Sequence, residues 1–238
     1  ELFAAAAGVP DLKLLGREQI AMLVWPGVTA LDLVGPYHFL AAPGATIHIV
    51  TTQPDLRPVP SDRGLALQPT VTMRDCPSEL TVLFAPGGTP LPAARDPAVR
   101  EFVRDRAGRA RYVTSVCTGS LVLAAAGVLR GRRATSHWSV LPVLARFGAN
   151  PTQGRVVRDG NIITGAGVSA GLDFGAALLG ELRGQPLAEA AVLMAEYDPE
   201  PPFPGGSLQT ARPEIARFVQ AGLRQFVAEA SALPGFGS

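Results

Sequence analysis

Cys117 lies where a predicted buried strand turns sharply into a predicted helix. The β-branched run at residues 112–116 predicts a strand that is covered on both faces. Small residues follow at 118–120, and an apolar helix is predicted over 121–129. A nucleophilic atom at a strand–turn–helix corner is typical of a nucleophile elbow. The alternative for a free cysteine is a buried structural role, but turn, helix and partner residues all favour a reactive Cys117.

The predicted helix after the turn bears on the ionisation of Cys117. The first N–H groups of a helix are unpaired and carry positive partial charge, which favours a thiolate over a thiol. A free thiol is only a few per cent ionised near neutral pH, so catalysis needs such activation. We therefore expect the Cys117 sulfur to be ionised. The second cysteine, Cys76, lies in a turn-like stretch before a strand, and we expect it to be inert.

Asp32 is the candidate acid and base. It lies between Leu31 and Leu33 near the start of a predicted apolar helix. An ordinary acid at a helix N-terminus is the alternative, because carboxylates are stabilised there. Burial among apolar neighbours and a nearby thiolate would both raise the pKa of Asp32. A carboxyl group that exchanges a proton near neutral pH suits general acid and base catalysis.

Gly87 and Gly88 follow the predicted strand at 80–85. Their N–H groups, together with that of Thr118, would hold developing negative charge as an oxyanion hole does. A Gly-Gly pair is also common in turns that have no such role.

His137 follows Cys117 by 20 residues and is a candidate for the pocket, although a lone histidine is more often packed or on the surface. The 3 histidines and 2 cysteines lack metal-ligand spacing. No glycine-rich phosphate-binding motif is present either. We therefore expect neither a metal nor a bound cofactor.

The order of the predicted elements indicates an α/β fold. Strands are predicted at 19–25, 45–51, 80–85 and 112–116, a hairpin at 155–164, and helices at 28–40, 96–108, 121–129, 139–147, 172–182, 187–197 and 213–230. This alternation predicts a three-layer α/β sandwich with a mostly parallel sheet. Ligands in such sheets bind beyond the carboxyl ends of the strands, and Cys117, Asp32 and the Gly87-Gly88 turn all follow predicted strand ends.

Composition limits the class of protein. A hydrophobic fraction of 47% with 17% charged residues argues against disorder. The net charge of +1 gives no reason to expect a nucleic acid or a membrane surface as partner. Two cysteines do not make a disulfide framework, so a cytoplasmic location is the simpler expectation.

One domain is expected. We predict an N-terminal extension at 1–18, a single domain at 19–230 and a flexible tail at 231–238. The apolar stretch 2–8 fits a terminal helix better than the remnant of a cleaved export signal, but export stays open.

Five motifs together resemble the ThiJ/PfpI family of the class I glutamine-amidotransferase-like superfamily. They are Leu-Asp-Leu-Val-Gly-Pro at 31–36, Ala-Pro-Gly-Gly at 85–88, Val-Thr-Ser-Val-Cys-Thr-Gly-Ser at 113–120, Ala-Thr-Ser-His-Trp at 134–138 and Val-Val-Arg-Asp-Gly at 156–160. The similarity extends over about residues 19–225. It implies a flavodoxin-like sandwich and a homodimer with the site near the interface.

Within the family, the chain is most similar to the isonitrile hydratase branch. The resemblance implies Cys117 as nucleophile and Asp32 as its acidic partner, where many relatives carry glutamate. Protease-like members have histidine at the position of Thr118, so a Cys–His hydrolase is disfavoured. Gly88 and Thr118 match the backbone donors of the family, and Val168 matches a loop that faces the cysteine.

The resemblance implies cofactor-free hydration of an isonitrile to an N-substituted formamide. A cofactor-free glyoxalase acting on α-ketoaldehydes through the same thiol is the enzymatic alternative. A redox or ligand sensor that uses Cys117 without turnover is the non-enzymatic one, and a chaperone-like role also stays open.

Overall fold

A seven-stranded sheet lies at the centre of the computed structural model, which describes residues 8–235. The strands are β1 Gln19–Val24, β2 Thr46–Thr51, β3 Val59–Pro60, β4 Ala66–Leu67, β5 Val71–Thr72, β6 Val82–Ala85, β7 Tyr112–Val116, β8 Arg133–Ala134, β9 Asn150–Pro151, β10 Val156–Asp159 and β11 Ile162–Gly165. The order in the main sheet is β10-β11-β7-β6-β1-β2-β5. Only the β10–β11 pair is antiparallel there, which makes the predicted hairpin.

Helices cover both faces of the sheet. They are α1 Ala30–Leu40, α2 Leu91–Arg95, α3 Pro97–Ala107, α4 Ser120–Ala125, α5 Ala170–Arg183, α6 Gln185–Met194 and α7 Pro213–Ser231, with 3₁₀ turns at Cys117–Gly119 and Leu141–Phe147. Helices α1 and α5 pack together on one face, and α2, α3 and α4 pack on the other. The predicted three-layer α/β sandwich with a mostly parallel sheet is confirmed.

The central strands are buried along their whole length. Residues 20–24 of β1 and all of β6 have no exposed surface, and β7 is almost as enclosed. Continuous apolar runs suit strands that are covered on both faces. The rings of Phe84 in β6 and Phe174 in α5 stack with centroids 5.5 Å apart, which ties the sheet to the helical layer.

Glycines let α1 and α5 approach closely. A Cβ atom on Gly175 would lie 3.0 Å from Phe39 Cδ2 and 3.0 Å from Pro36 Cα, and one on Gly171 would lie 3.2 Å from Pro36 Cδ. Side chains there would push the helices apart. The close contact fixes the position of α1, whose first turn carries Asp32.

Some predicted elements differ from the structure. The helix predicted over 121–129 ends at Ala125, and Gly127 then adopts φ +80° in a turn. The helix predicted over 139–147 is a 3₁₀ segment with a proline in its first turn. The short helix α2 was not predicted. Residues 66–72 divide between β4, which pairs with β3, and β5, which joins the edge of the main sheet.

Both ends of the described chain pack on the body. Arg183 in α5 forms a buried ion pair with Glu18 at 2.6 Å and donates to the Leu14 carbonyl at 2.9 Å, which anchors the segment before β1. Leu233 is buried after the end of α7. Most of the apolar stretch 2–8 lies outside the described residues. Within residues 8–235, no helix is both long enough and apolar enough to span a bilayer.

Candidate active site

The chain makes the predicted sharp corner at Cys117. Its φ is +58°, in the left-handed region that a non-glycine residue rarely adopts. The Cys117 N–H donates to the Ala166 carbonyl at 2.7 Å, and the Cys117 carbonyl accepts from Ser136 Oγ at 3.0 Å. Such a conformation costs about 1–3 kcal/mol and persists only where its surroundings enforce it. These bonds hold the side chain at the carboxyl edge of the sheet.

Two glycines make room for this corner. A Cβ atom on Gly119 would lie 2.1 Å from the Ala85 carbonyl oxygen at the end of β6. A Cβ atom on Gly87 would lie 2.5 Å from Asp32 Oδ2 and 2.7 Å from Cys117 Cβ. The cysteine, the aspartate and the turn after β6 therefore meet at one point, as the sequence predicts, and that point has space only for glycine.

Asp32 is completely buried and titrates near neutral pH. Its Oδ2 accepts the Gly87 N–H at 3.0 Å. Its Oδ1 makes no hydrogen bond to a nitrogen or oxygen atom of the described residues. Burial raises the pKa of Asp32 to about 7, against the opposing effect of hydrogen bonds from the Cys117 thiol and the Gly87 N–H. The rise that the sequence predicts from burial agrees with this pKa, whereas the predicted contribution of a thiolate is wrong, because the Cys117 thiol lowers the pKa of Asp32 by donating a hydrogen bond.

The expected Cys117 thiolate is wrong for the resting site. Cys117 is only 5% exposed, and burial together with the negative charge of Asp32 raises the pKa of its thiol. Hydrogen bonds from Thr118 act in the opposite direction but do not outweigh these effects. Helix α4 begins at Ser120 and has only 6 residues, so the field of its N-terminus is weak. The resting pair is a neutral thiol beside a carboxyl group that can accept its proton.

The expected oxyanion donors also need correction. The Gly88 N–H donates to Thr118 Oγ1 at 3.0 Å, and that hydroxyl group donates to the Gly88 carbonyl at 3.1 Å. The Gly87 N–H is bonded to Asp32. These contacts form because the turn after β6 folds back over the corner, with Gly88 at φ +114°. Gly87 and Gly88 therefore position the acid and the threonine. The Thr118 N–H is the backbone donor that acts on the Cys117 sulfur.

A cleft of about 840 Å³ lies next to this corner. Its wall includes Ser136 and Ala166, the two residues bonded to the Cys117 backbone. Gly87, Val168 and His137 are the predicted pocket residues, and the structure places Val168 and His137 on the wall of this cleft but not Gly87. Gly87 instead donates its N–H to Asp32.

His137 is neutral and has a fixed ring orientation. Burial lowers its pKa. Its Nδ1 accepts the Ser139 N–H at 3.3 Å and lies 2.7 Å from Ser139 Oγ. An acceptor at Nδ1 leaves the ring proton on Nε2. His137 therefore offers the cleft a hydrogen-bond donor rather than a positive charge.

The serine pair beneath the corner was not predicted from the sequence. Ser120 Oγ donates to Ser136 Oγ at 2.7 Å, and both hydroxyl groups contact the Cys117 carbonyl. Ser136 lies directly before His137 in the Ala-Thr-Ser-His-Trp motif at 134–138, so this motif could have indicated that Ser136 lies near the site. Leu208 and Gln209 also line the cleft, but about 90 residues separate them from the corner and no sequence pattern connects the two.

Three comparisons with known proteins indicate one protein family. Residues 18–181 match the model of the DJ-1/PfpI family. The isonitrile hydratase of Pseudomonas putida is 50% identical over 195 residues, which cover 81% of this chain and 84% of that protein. The crystal structure of a ThiJ/PfpI family protein from Pseudomonas syringae has 53% identity, a TM-score of 0.92 and coverage of 95% of both chains.

A more distant relative is deglycase PfpI of Pyrococcus furiosus. It is 26% identical over 136 residues, which cover 56% of this chain and 81% of that protein. The family model matches more than half of the chain. The sequence identity of 50% to the Pseudomonas putida protein is also high for a match over most of both chains. This chain belongs to the DJ-1/PfpI family.

Proposed function

We propose that this protein hydrates isonitriles to N-substituted formamides through a covalent intermediate on Cys117. The similarity to the isonitrile hydratase of Pseudomonas putida over most of both chains supports the reaction. The structural observation that carries it is the completely buried Asp32, with a pKa of about 7, in contact with the Cys117 thiol. This pair has one exchangeable proton near neutral pH, as the addition of a thiol to a carbon–nitrogen multiple bond requires.

The first step forms a carbon–sulfur bond. The Asp32 carboxylate takes the thiol proton as the Cys117 sulfur attacks the terminal carbon of the isonitrile. Asp32 then delivers that proton to the same carbon. The product is a thioimidate in which sulfur and one hydrogen are bound to the former isonitrile carbon, and Asp32 is again a carboxylate.

The second step adds water and restores the thiol. Asp32 takes a proton from water as the oxygen attacks the thioimidate carbon, and it passes that proton to the nitrogen. The carbon–sulfur bond of this tetrahedral adduct then breaks, the hydroxyl group of the adduct becomes a carbonyl group, and Asp32 transfers the hydroxyl proton to sulfur. The net change is the addition of one water molecule to the isonitrile, which leaves as an N-substituted formamide.

Thr118 is the positioning residue in this scheme. Its hydroxyl group is bonded to both backbone polar groups of Gly88, and its N–H acts on the Cys117 sulfur. The turn that supplies the Gly87 N–H to Asp32 is therefore tied to the residue next to the nucleophile. This link keeps sulfur and carboxyl group together through both steps.

Conversion of an α-ketoaldehyde to a 2-hydroxy acid is the alternative reaction of the same thiol. The relationship to a protein named as a deglycase favours keeping it. A thiol adds to an aldehyde carbon to give a hemithioacetal. Asp32 would then move the proton between the neighbouring carbons to give a thioester, and water would hydrolyse that thioester to the 2-hydroxy acid and the free thiol. The nearly complete burial of Cys117 favours the slimmer isonitrile group.

Mass spectrometry and a product assay together test the proposal. Protein mixed with an alkyl or aryl isonitrile should show a mass increase on the peptide containing Cys117, and the formamide should accumulate in solution. Methylglyoxal is assayed in parallel. Formation of lactate without formamide would replace isonitrile hydration by the glyoxalase reaction. Oxidation of Cys117 without turnover of either substrate would favour the sensor.

We also propose a cytoplasmic homodimer that takes a small-molecule substrate. The family resemblance supports the dimer, and the 2 free cysteines fit a reducing compartment. Light scattering tests the first point, and fractionation of the source cells tests the second.

A further inference from the structure

We infer that the cleft beside Cys117 selects neutral isonitriles with a large, mostly apolar N-substituent of at least aromatic size. The substituent would extend from the reactive corner to Trp138 and Leu208. The inference rests on the proposed hydration of isonitriles and specifies the substrate class for that reaction.

The cleft reaches the neighbours of the reacting pair, but neither Cys117 nor Asp32 is among its lining residues. Leu31, which precedes Asp32, lies on its wall together with Ser136 and Ala166, which are bonded to the Cys117 backbone. Cys117 itself is only 5% exposed. An isonitrile group is linear and one atom wide at its terminal carbon, so it can reach a sulfur that is almost covered. The bulky part of the molecule must then lie in the wider cleft.

The cleft is much larger than a small alkyl isonitrile requires. Its volume is about 840 Å³, whereas a cavity of about 150 Å³ is sufficient to bind benzene. Pockets of about 300–1,000 Å³ are typical for ligands of drug size. A methyl or ethyl substituent would leave most of the apolar wall in contact with water. A substituent of one or two rings would displace that water and bury apolar surface.

The side chains of the cleft favour an uncharged and mostly apolar occupant. Trp138, Leu141, Pro142 and Leu208 contribute apolar surface to the wall of the cleft. Among the described residues of the lining, Arg155 carries the only formal charge, and its Nε donates to Asp173 Oδ2 at 2.8 Å. A carboxylate on the substrate would have to compete with that ion pair. His137 is neutral and offers one donor to a polar atom of the substituent.

Leu208 and Phe203 are a matched pair of positions for mutation, one on the cleft wall and one outside it. Leu208 lines the cleft and is 41% exposed, so its truncation should not disturb the core. Phe203 lies in the same irregular segment after α6, is 80% exposed and is not part of the lining. A change that acts through the cleft should be seen in Leu208→Ala and not in Phe203→Ala.

The test compares methyl, cyclohexyl and naphthylmethyl isonitrile as substrates of the wild-type protein, Leu208→Ala, Trp138→Ala and Phe203→Ala. In the wild type, kcat/KM should rise at least about tenfold from methyl to naphthylmethyl, mainly through a lower KM. Leu208→Ala and Trp138→Ala should lose about tenfold for naphthylmethyl isonitrile. For methyl isonitrile the loss in both variants should be clearly smaller, because its substituent would not extend to Trp138 and Leu208. Phe203→Ala should match the wild type for all three substrates.

Each result decides the inference. Equal kcat/KM for the three isonitriles, or an equal loss for all three in Leu208→Ala, would overturn the size selection and leave the hydration itself in place. Preference for a carboxyphenylmethyl isonitrile over its uncharged phenylmethyl analogue would overturn the selection for neutral substituents. If no isonitrile of any size gives a formamide, the proposed hydration fails, and the inference fails with it.

Discussion

The two cysteines of this protein are buried to the same extent but differ in their neighbours. Cys76 is 4% exposed and Cys117 is 5% exposed, and burial raises the pKa of both thiols. Cys76 has the positive Arg106 beside it, which favours its thiolate, whereas Cys117 faces a carboxyl group that disfavours one. Judged by charge alone, Cys76 would be the more acidic of the two.

The difference shows what makes a buried thiol useful in catalysis. The Cys76 sulfur donates to the Pro77 carbonyl at 3.6 Å, a group that cannot remove its proton. Cys117 faces Asp32, whose pKa of about 7 makes it a base and an acid near neutral pH. A cleft also lies beside Ser136 and Ala166, which are bonded to the Cys117 backbone. A proton acceptor and a nearby cleft distinguish the Cys117 site, and a resting thiolate is not needed.

Removal of each sulfur is the strongest way to test this comparison. Cys117→Ala should reduce hydration by at least about 10⁴-fold, because the covalent route is lost. Cys76→Ala should leave kcat and KM unchanged. Both variants are assayed for formamide with the same isonitrile, and circular dichroism checks the fold. Substantial turnover by Cys117→Ala would rule out covalent catalysis, and a large loss in Cys76→Ala would make the two sites equivalent.

Asp32→Asn removes the proton acceptor next to Cys117, which Cys76 does not have. An amide of nearly the same shape can still accept the Gly87 N–H, but it cannot take the thiol proton. The expected loss in kcat is about 10²–10⁴-fold, as is usual for general acid–base groups. Single-turnover kinetics with an aryl isonitrile measure it. Kinetics like those of the wild type would remove Asp32 from the mechanism.

The same substitution should increase stability at alkaline pH. The folded pKa of about 7 lies above the ordinary value of 3.8, so the folded state loses stability as pH rises from about 4 to 7. Each pKa unit corresponds to about 1.4 kcal/mol, so the buried carboxylate costs up to about 4 kcal/mol above pH 7. Urea unfolding should therefore find Asp32→Asn more stable than the wild type at pH 8 and nearly equal to it at pH 4. Lower stability at both pH values would contradict the raised pKa.

The Cys117 site also differs from the Cys76 site in having Thr118 beside the sulfur. We expect a smaller loss of activity when this residue is changed. Thr118→Val keeps the shape but leaves the partly buried N–H and carbonyl groups of Gly88 without the hydroxyl group, which costs about 0.5–1.5 kcal/mol. The turn that holds Asp32 would loosen, and kcat should fall about tenfold. Thr118→Ser is the control and should retain most of the activity. If both variants behave alike, the hydroxyl group has no positioning role.

The sequence predicted those parts of the site that local rules determine. The corner at Cys117, the aspartate after the first strand and the Gly87-Gly88 turn follow from strand ends and small residues, and parallel strands bring their carboxyl ends to one edge. The ionisation of Cys117 was mispredicted because it depends on burial and on a carboxyl group 85 positions earlier in the chain. The roles of the Gly87 and Gly88 N–H groups depend in the same way on how the turn folds back.

The fold shows the same division between local and distant effects. The strands and the long helices α1, α3, α5 and α7 were predicted because their apolar patterns are strong. The early end of α4 and the 3₁₀ form of residues 141–147 were not, since single turns and short helices depend on packing as much as on propensity. The cleft wall at 207–209 comes from an irregular segment whose position only tertiary structure reveals.

The pH dependence of kcat/KM in the wild type and in Asp32→Asn tests the central claim most directly, that a neutral Cys117 thiol is activated by the Asp32 carboxylate. For the wild type, kcat/KM should rise tenfold per pH unit below about 7 and level off above it, because Asp32 must be ionised to take the proton. In Asp32→Asn this rise should be absent and the rate low throughout. A rise that is centred near the ordinary thiol pKa of 9.0 and is the same in both proteins would show that Cys117 ionises without Asp32 and would contradict the account.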